Sequence, residues 1–362
     1  MKKFELKKTI LALLVAMTMV FALTGCQSGN AAQSGSQEAE TDSAEYSVKL
    51  AAQSNSGHVF QYIAEEHGYL EEEGVDVELI YINNGTDAFT ALTAGQVDVL
   101  STYGTGGPLI QIANGQEYIM FGGYMIIGET PVYAKPETEF TGLESFVGKT
   151  IAITRGGTPD IVLKGILNDA GLLDQVTFIE MKKNQESLQA VASGEADFCA
   201  TATGYQLQAA DLGLEVKMWP DEYWPNHSCC RMLSNTAWLE DEHNQESAYR
   251  MLRAYLRAEE YLQDHYDEAV DLVSVNLDMD RATVESFVKS PHMKYDTDPY
   301  KNSVIKMWEK MYEFNYIPDN TLDINDHIDT DVYEKALDSL IEEYPNSQFF
   351  KDKKVQFEAN NS

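Results

Sequence analysis

The sequence has few cysteines and few basic residues. Its 362 residues include four Cys, too few for a disulfide scaffold in a chain of this length. Lys and Arg number 26 against 58 Asp and Glu, which gives a formal charge of −32 at pH 7. A surface this negative repels phosphate backbones and anionic lipid headgroups, so we expect no nucleic acid partner and no direct headgroup binding.

The N-terminal apolar run, Ile10 to Leu23, is too short to span a bilayer comfortably, and four lysines precede it. Leu23-Thr24-Gly25-Cys26 follows and resembles a bacterial lipobox, in which the cysteine carries a diacylglycerol. We expect a cleaved lipoprotein signal over residues 1–25, with an uncleaved anchor helix as the alternative. Residues 27–45 contain no large apolar side chain, so residues 26–45 are predicted to be a flexible tether from lipidated Cys26.

Short apolar strands alternate with amphipathic helices after this segment, a pattern typical of an α/β protein. One β-α-β-α-β unit is predicted over residues 47–100 and a second over residues 150–200. Aligning Gly95 with Gly194 pairs Asp98 with Asp197, and both copies read apolar-x-Ala-apolar-x-x-Gly-x-x-Asp. This repeat predicts two similar lobes, although two glycine-stopped helices can also match by chance. Charge-rich helices are predicted afterwards, at 238–265, 267–275, 281–288, 300–314 and 331–343.

A resemblance to a known family rests on four stretches of this sequence. Residues 62–79 and 91–99, with 147–153 and 192–197 in the second copy, resemble the solute-binding proteins of ABC importers. They are most similar to the family that takes up aliphatic sulfonates, taurine, nitrate and the pyrimidine precursor of thiamine. The resemblance implies an α/β, two-lobed type II periplasmic-binding-protein fold. In that fold each lobe is a mixed, mostly parallel sheet flanked by helices, and a helical C-terminal layer follows.

The same resemblance implies how the chain is divided and what it does. Residues 46–128 and 236–350 are expected to form lobe one, and residues 129–235 lobe two. Whether the C-terminal helices form a separate domain stays open. The two lobes would close on a small molecule and deliver it to an ABC permease and its ATPase. We expect a monomer without enzymatic activity or cofactor, held outside the cell membrane by its lipid.

Candidate ligand-binding residues lie where strands end and helices begin, because such loops reach the cleft and helix N-termini offer unpaired N–H groups. Thr86 is predicted to cap a helix, and Tyr103 to offer a stacking face. Each candidate could equally be a plain cap or turn. Those in lobe one are Ser54, Asn55, His58, Gly85, Thr86, Tyr103, Gly104, Thr105 and Tyr124; those in lobe two are Arg155, Gly157, Thr158, Thr201, Tyr205, Trp224 and Cys229.

The sequence leaves the ligand class open between a small anion and a planar heterocycle. Thr158 is predicted as the N-cap of a helix at which Arg155 could bind an anion, whereas Asp160 in its first turn would repel one. Aromatic side chains, Trp224 among them, could sandwich a flat ring or lie in the core. The element Cys229-Cys230-Arg231 resembles the thiamine-pyrimidine branch, which favours a pyrimidine. Adjacent cysteines would close a strained eight-membered ring, so we expect both to be reduced.

Two other functions are considered. A relative of this fold is an iron-dependent pyrimidine synthase, and Cys199, His227 and Cys229 could form a metal set. A ligand-sensing domain of a membrane receptor is the other alternative. The predicted export and lipidation favour a transport receptor over the enzyme, whereas the sensing domain stays open, and neighbouring permease and ATPase genes would argue against it.

Overall fold

The computed structural model describes residues 45–54, 58–318 and 321–362. The expected signal, Cys26 and Asn55 lie outside these residues. No helix in the described ranges is long and apolar enough to cross a membrane.

The described chain alternates strands and helices in its first two thirds and is mainly helical afterwards. The strands are β1 (Tyr46–Ala52), β2 (Val75–Tyr81), β3 (Val99–Leu100), β4 (Tyr118–Gly123), β5 (Met125–Ile127), β6 (Val132–Ala134), β7 (Thr150–Thr154), β8 (Thr177–Met181), β9 (Phe198–Ala200), β10 (Glu215–Met218), β11 (Arg231–Asn235) and β12 (Lys294–Tyr295). The helices are α1 (Val59–Glu66), α2 (Tyr69–Glu73), α3 (Gly85–Thr93), α4 (Gly106–Ala113), α5 (Thr158–Asp169), α6 (Asn184–Ser193), α7 (Gln206–Asp211), α8 (Thr236–Glu240), α9 (Glu242–Leu262), α10 (Tyr266–Leu277), α11 (Arg281–Val288), α12 (Lys301–Glu313), α13 (Asp331–Glu343) and α14 (Gln348–Asn360).

Two five-stranded sheets have equivalent strand orders, β2-β1-β3-β11-β4 and β8-β7-β9-β6-β10. In each sheet only the fourth strand runs against the others, since β11 is antiparallel to β3 and β4, and β6 is antiparallel to β9 and β10. That reversed strand arrives from the other half of the chain. The type II fold class predicted from the sequence is confirmed. The chain enters the first sheet again at Arg231, earlier than the predicted return after residue 235.

The internal repeat is visible in equivalent hydrogen bonds. The Asp98 carboxylate accepts from the Lys49 backbone N–H at 2.7 Å, and the Asp197 carboxylate accepts from the Thr150 N–H at 2.9 Å. Gly95 follows α3 and has φ +64°, and its counterpart Gly194 follows α6 and has φ +85°. Both conformations favour glycine. Both aspartates therefore tie the third strand of a unit to the start of its first.

The C-terminal helices contact both halves of the molecule. α9 packs on α1, α2, β1 and α13, and it buries an apolar face that includes Met251, Leu252 and Tyr255. α12 instead packs against α5, where Lys310 pairs with Asp169. The single helix predicted over 238–265 is two helices, because Asp241 caps α9 by accepting from the N–H groups of His243 and Asn244. The sequence analysis did not predict α14.

Candidate functional site

The two sheets meet where the N-termini of α4 and α5 come together. Gly104 has φ +72°, and a Cβ built on it would lie 2.7 Å from the Thr158 hydroxyl oxygen. A Cβ on Gly106 would overlap with the Ile161 side chain. Glycine at both positions thus allows the backbone of the first lobe to lie directly against the second.

The loops that follow β1, β2 and β3 are hydrogen-bonded to one another. The Ser54 N–H and hydroxyl both donate to the Asn83 side-chain oxygen, at 2.8 and 2.9 Å. The Tyr103 hydroxyl donates to the Ile82 carbonyl at 2.7 Å, and its half-buried ring lies 6.4 Å from the ring of Phe89. These groups shape the edge of lobe one by bonding within it.

His58 and Tyr124 form a buried stacked pair beneath this edge, with ring centroids 4.0 Å apart. The His58 Nδ1 accepts from the Gln61 N–H at 3.3 Å and so caps α1. Burial lowers the pKa of His58 to about 3, so the ring is neutral and its proton lies on Nε2. This Nε2 is buried without a hydrogen-bond partner among the described residues. It is a donor that the described residues leave unused.

Cys229 lies where the chain crosses back from the second half to the first. The Thr105 side chain bonds the Ser228 hydroxyl at 2.8 Å and also the Cys229 carbonyl. A Cβ on Gly128 would overlap with the Cys229 sulfur, so one crossover packs directly on the other. The structure therefore brings Thr105 and Cys229 together with the Gly104–Thr158 contact.

The N-terminus of α5 differs by one residue from the prediction. The helix begins at Thr158 with Gly157 as its N-cap, so the predicted cap at Thr158 is wrong. The buried Asp160 carboxylate accepts from the Gly156 N–H at 2.9 Å and lies 2.8 Å from the Lys164 ammonium. Its charge is therefore compensated within the helix and its loop, which weakens the expected repulsion of an anion.

Arg155 extends away from this junction. Its guanidinium pairs with Glu180 at 2.6 Å, and 59% of its side chain is exposed. The Arg155 charge also lies 5.0 Å from the centre of the Tyr316 ring. An anion at this position would have to compete with the Glu180 carboxylate.

Trp224 is distant from the other candidates along α5. The edge of its ring packs against Gly165, in the middle of that helix, and the Lys306 ammonium lies 5.3 Å from its centroid. A cavity of about 290 Å³ lies beside it, lined by Ile166, Ala170 and Lys306 among others. Because Gly165 and Lys306 occupy the surroundings of the ring, the structure does not support the predicted stacking face.

The remaining candidates are Thr86, Thr201 and Tyr205. Asn84, not Thr86, caps α3, because its side chain accepts from the Asp87 N–H. The helix begins at Gly85, and Thr86 is exposed, so the predicted Thr86 cap is wrong. Thr201 is buried and bonds the Ala202 carbonyl at 3.3 Å. Tyr205 packs on the hydrophobic cluster beneath β9 that includes Cys199.

The alternative metal set is not assembled in the part of the chain that the structure describes. No group of three or more His, Cys, Asp and Glu side chains there could hold a metal. Cys199 is buried in the middle strand of the second sheet. The ring nitrogens of His227 lie 3.4 and 3.2 Å from the carbonyl oxygens of Trp224 and Gly128. Cys199, Cys229 and Cys230 are free thiols.

Three residues at the junction were not among the sequence candidates. Ser228 bonds Thr105, Gly128 lies against Cys229, and Tyr255 of α9 lies 5.1 Å from the His58 ring. The sequence signal for Gly128 and Ser228 is only their place beside the expected crossovers. Tyr255 reads as one apolar position of a long amphipathic helix.

Two equivalent sheets that exchange a strand, with helix N-termini facing each other between them, define the periplasmic-binding-protein class of fold. The chain belongs to the NMT1/THI5-like family, whose sequence pattern it matches over residues 55–269.

Relatives with named ligands are similar along most of the chain. A formylaminopyrimidine-binding protein of Halalkalibacterium halodurans is 25% identical over 285 residues, which cover 77% of this chain and 80% of that protein. A Bacillus subtilis protein whose name assigns it to aliphatic sulfonates is 23% identical over 350 residues, 90% of this chain and 96% of that one. The crystal structure of the periplasmic aliphatic sulphonate binding protein of Escherichia coli superposes with a TM-score of 0.65 at 16% identity, over 78% of this chain and 92% of that one.

Proposed function

We propose that this chain is the extracytoplasmic solute-binding component of an ABC importer. It captures a small molecule between its two lobes and delivers it to a membrane permease and its ATPase. Membership of the family supports this function, as does the contact of Gly104 with Thr158 between two similar lobes. Ligand contacts on both lobes favour the closed arrangement of a hinged molecule.

The favoured ligand is a thiamine-precursor-like pyrimidine or another small heterocycle. The observation that carries this choice is His58, whose Nε2–H is a buried donor without a partner in the described chain. Ring nitrogens and carbonyl groups of a pyrimidine accept such hydrogen bonds, and a site built around one donor discriminates strongly between ligands. The Tyr124 ring stacks on the His58 ring and fixes the plane of the imidazole. The relative from H. halodurans is named for a pyrimidine.

A sulfonate, taurine or another small anion is the second candidate. The observation that favours it is the N-terminus of α5, where Gly157 provides no side-chain cap and Asp160 is already paired. The first N–H groups of such a helix attract an anion. The B. subtilis relative is named for this ligand class.

Thermal unfolding of a soluble protein that begins at Ser43, measured with a panel of pyrimidines, sulfonates and nitrate, tests both candidates. A true ligand raises the unfolding temperature by mass action. For a pyrimidine, His58→Asn should weaken binding several-fold, since a hydrogen bond contributes roughly 1 kcal/mol, whereas Arg155→Ala should change it little. If only anions bind, and His58→Asn leaves that binding unchanged, the anion site replaces the heterocycle site.

The proposal includes lipid anchoring through Cys26 and assigns no catalytic activity. Cys26→Ala should abolish labelling by a radioactive fatty acid and release the protein from the membrane fraction. Elemental analysis of the purified protein tests whether it is an enzyme. Stoichiometric iron together with pyrimidine synthesis would favour the enzyme alternative. Labelling that persists in Cys26→Ala would show that the lipobox was misread.

A further inference from the structure

The adjacent thiols Cys229 and Cys230 lie side by side at the lobe junction. Their sulfur atoms are 3.5 Å apart, and their residues are 7% and 2% exposed. Cys199 is separate from them, in the middle strand of the second sheet. The chain therefore presents one dithiol and one isolated, buried thiol that serves as an internal control.

A buried positive charge lies next to the dithiol. The Arg231 guanidinium donates to the Pro299 carbonyl at 2.5 Å, to the Cys230 carbonyl at 3.1 Å and to the Ser303 hydroxyl at 2.7 Å. These acceptors are neutral. Because no acceptor of this set carries a charge, the guanidinium is able to stabilise a thiolate beside it.

The two thiols are electrostatically unequal. The hydrogen bond between the two thiols, and then the Arg231 charge, lower the pKa of Cys229 against the opposing effect of burial. The same hydrogen bond raises the pKa of Cys230 well above its ordinary value. Cys229 is also the more exposed of the two and its sulfur lies against Gly128 in the crossover, so it is placed as the attacking cysteine and Cys230 as the resolving one.

Access to the pair depends on the lobe contact. Gly128 lies against the Cys229 sulfur, and the Gly104–Thr158 contact lies beside it. Both thiols border the hydrophobic core of lobe one, and Thr158 of the other lobe covers one side of Cys229. We therefore expect dissolved reagents to reach Cys229 from that side when the lobes separate. This step rests on the proposed function, which requires the lobes to open for ligand entry.

We propose that Cys229 and Cys230 form a modification site for low-molecular-weight disulfides, accessible in the open molecule and reversible by thiols. The Cys229 thiolate attacks one sulfur of the small disulfide, and the first thiolate leaves. Cys230 gives its proton to water and attacks the Cys229 sulfur, so the mixed disulfide breaks and the second thiolate leaves. Two protein thiols are oxidised to one disulfide, and one small disulfide is reduced to two thiols. Because the ring between adjacent cysteines is strained, this disulfide is readily reduced again.

The test is mass spectrometry of the native protein after incubation with oxidised glutathione. The wild type should lose two hydrogen atoms through a Cys229–Cys230 link, retain no adduct and keep Cys199 as a thiol. Cys230→Ser should retain one glutathione on Cys229, because the resolving thiol is missing. Cys229→Ser should lose the reaction. Dithiothreitol should restore the wild-type mass.

Two outcomes would overturn the proposal. One is modification of Cys199 at the same rate as the pair, and the other is no reaction before global unfolding in both the wild type and Cys230→Ser. A thermal-shift measurement on the same sample with the pyrimidine and sulfonate panel separates the two proposals. A ligand shift without thiol reaction removes only the modification site, whereas thiol reaction without any ligand shift counts only against the solute-binding proposal.

Discussion

Lys353→Met should destabilise the protein much more than the same change at the neighbouring Lys354. The Lys353 ammonium lies 2.9 Å from the Glu259 carboxylate and also bonds Asp296. The three side chains are 5%, 3% and 2% exposed. Lys354 follows Lys353 on α14 but lies at the surface. It pairs there with Glu334 and Asp338 of α13, which are 41% and 50% exposed.

The burial of these groups sets the expected magnitude. Removing one partner of a buried ion pair leaves uncompensated charge and costs about 3–5 kcal/mol. An exposed pair contributes about 0–1 kcal/mol. Lys and Met have similar helix propensities, so the helix itself contributes little to the difference. We therefore expect Lys353→Met to be less stable than Lys354→Met by about 2–5 kcal/mol.

Urea unfolding at pH 7, followed by fluorescence and circular dichroism, measures this difference. Adding Asp296→Asn to Lys353→Met should recover part of the loss, because it removes one of the two buried carboxylates that Lys353 neutralises. Burial and the Asp296 charge already raise the folded-state pKa of Glu259. Without Lys353 this pKa rises further, and so does the pKa of Asp296, which Lys353 holds low against the effect of burial. The deficit should then shrink as the pH falls and the carboxylates protonate. Equal stability of the two lysine variants would refute the assignment of a buried ion cluster.

The ion cluster of Lys353, Glu259 and Asp296 also supports residues 296–299, which pack against both crossovers. The Tyr124 carbonyl accepts from the Asp296 N–H at 2.8 Å, and the Gly123 N–H donates to the Thr297 carbonyl at 2.7 Å. Pro299 accepts from Arg231, beside the dithiol. α14, which carries Lys353, therefore supports the segment that holds Gly123, Tyr124 and Arg231 in place, although α14 is distant from these residues in sequence.

The sequence predicted the two repeated units because their patterns are local. Alternating apolar residues define β1 and β2, and a glycine with positive φ ends each repeated helix before its aspartate. Asp98 and Asp197 were aligned by spacing alone, and they make equivalent hydrogen bonds. His58 and Thr105 could be nominated because they follow strand ends within the same units.

The rest depends on contacts between residues distant in sequence. Trp224 is a residue type that often stacks on ligands, but its surroundings are formed by Gly165 on α5 and Lys306 on α12. The Thr105–Cys229 contact joins residues 124 positions apart. α14 was missed because one of the three positions that it buries, Phe350, Lys353 and Phe357, is a lysine, which a sequence pattern assigns to the surface.

Three further predictions concern the junction and its neighbours. Gly104→Ala should hold the lobes apart and expand the molecule in solution scattering, because the new Cβ would meet the Thr158 hydroxyl. The control Gly115→Ala shares the positive φ but faces open space, so it should not expand the molecule. Equal radii of gyration for the two variants would contradict the lobe contact. Trp224→Ala should lower stability by about 3–5 kcal/mol, because it leaves a cavity, and should leave the affinity for a confirmed pyrimidine unchanged in calorimetry. Unchanged stability together with weakened pyrimidine binding would restore Trp224 as a stacking face. His58→Asn keeps an acceptor for the Gln61 N–H but does not titrate. Because burial lowers the folded-state pKa of His58 from 6.5 to about 3, only the unfolded wild-type chain takes up that proton as the pH falls through this window. The wild type should therefore lose unfolding free energy relative to His58→Asn between pH 6.5 and 4, by at most about 1.4 kcal/mol per pH unit. Urea titrations at several pH values measure both curves, and parallel curves would show that the imidazole is not buried in its neutral form.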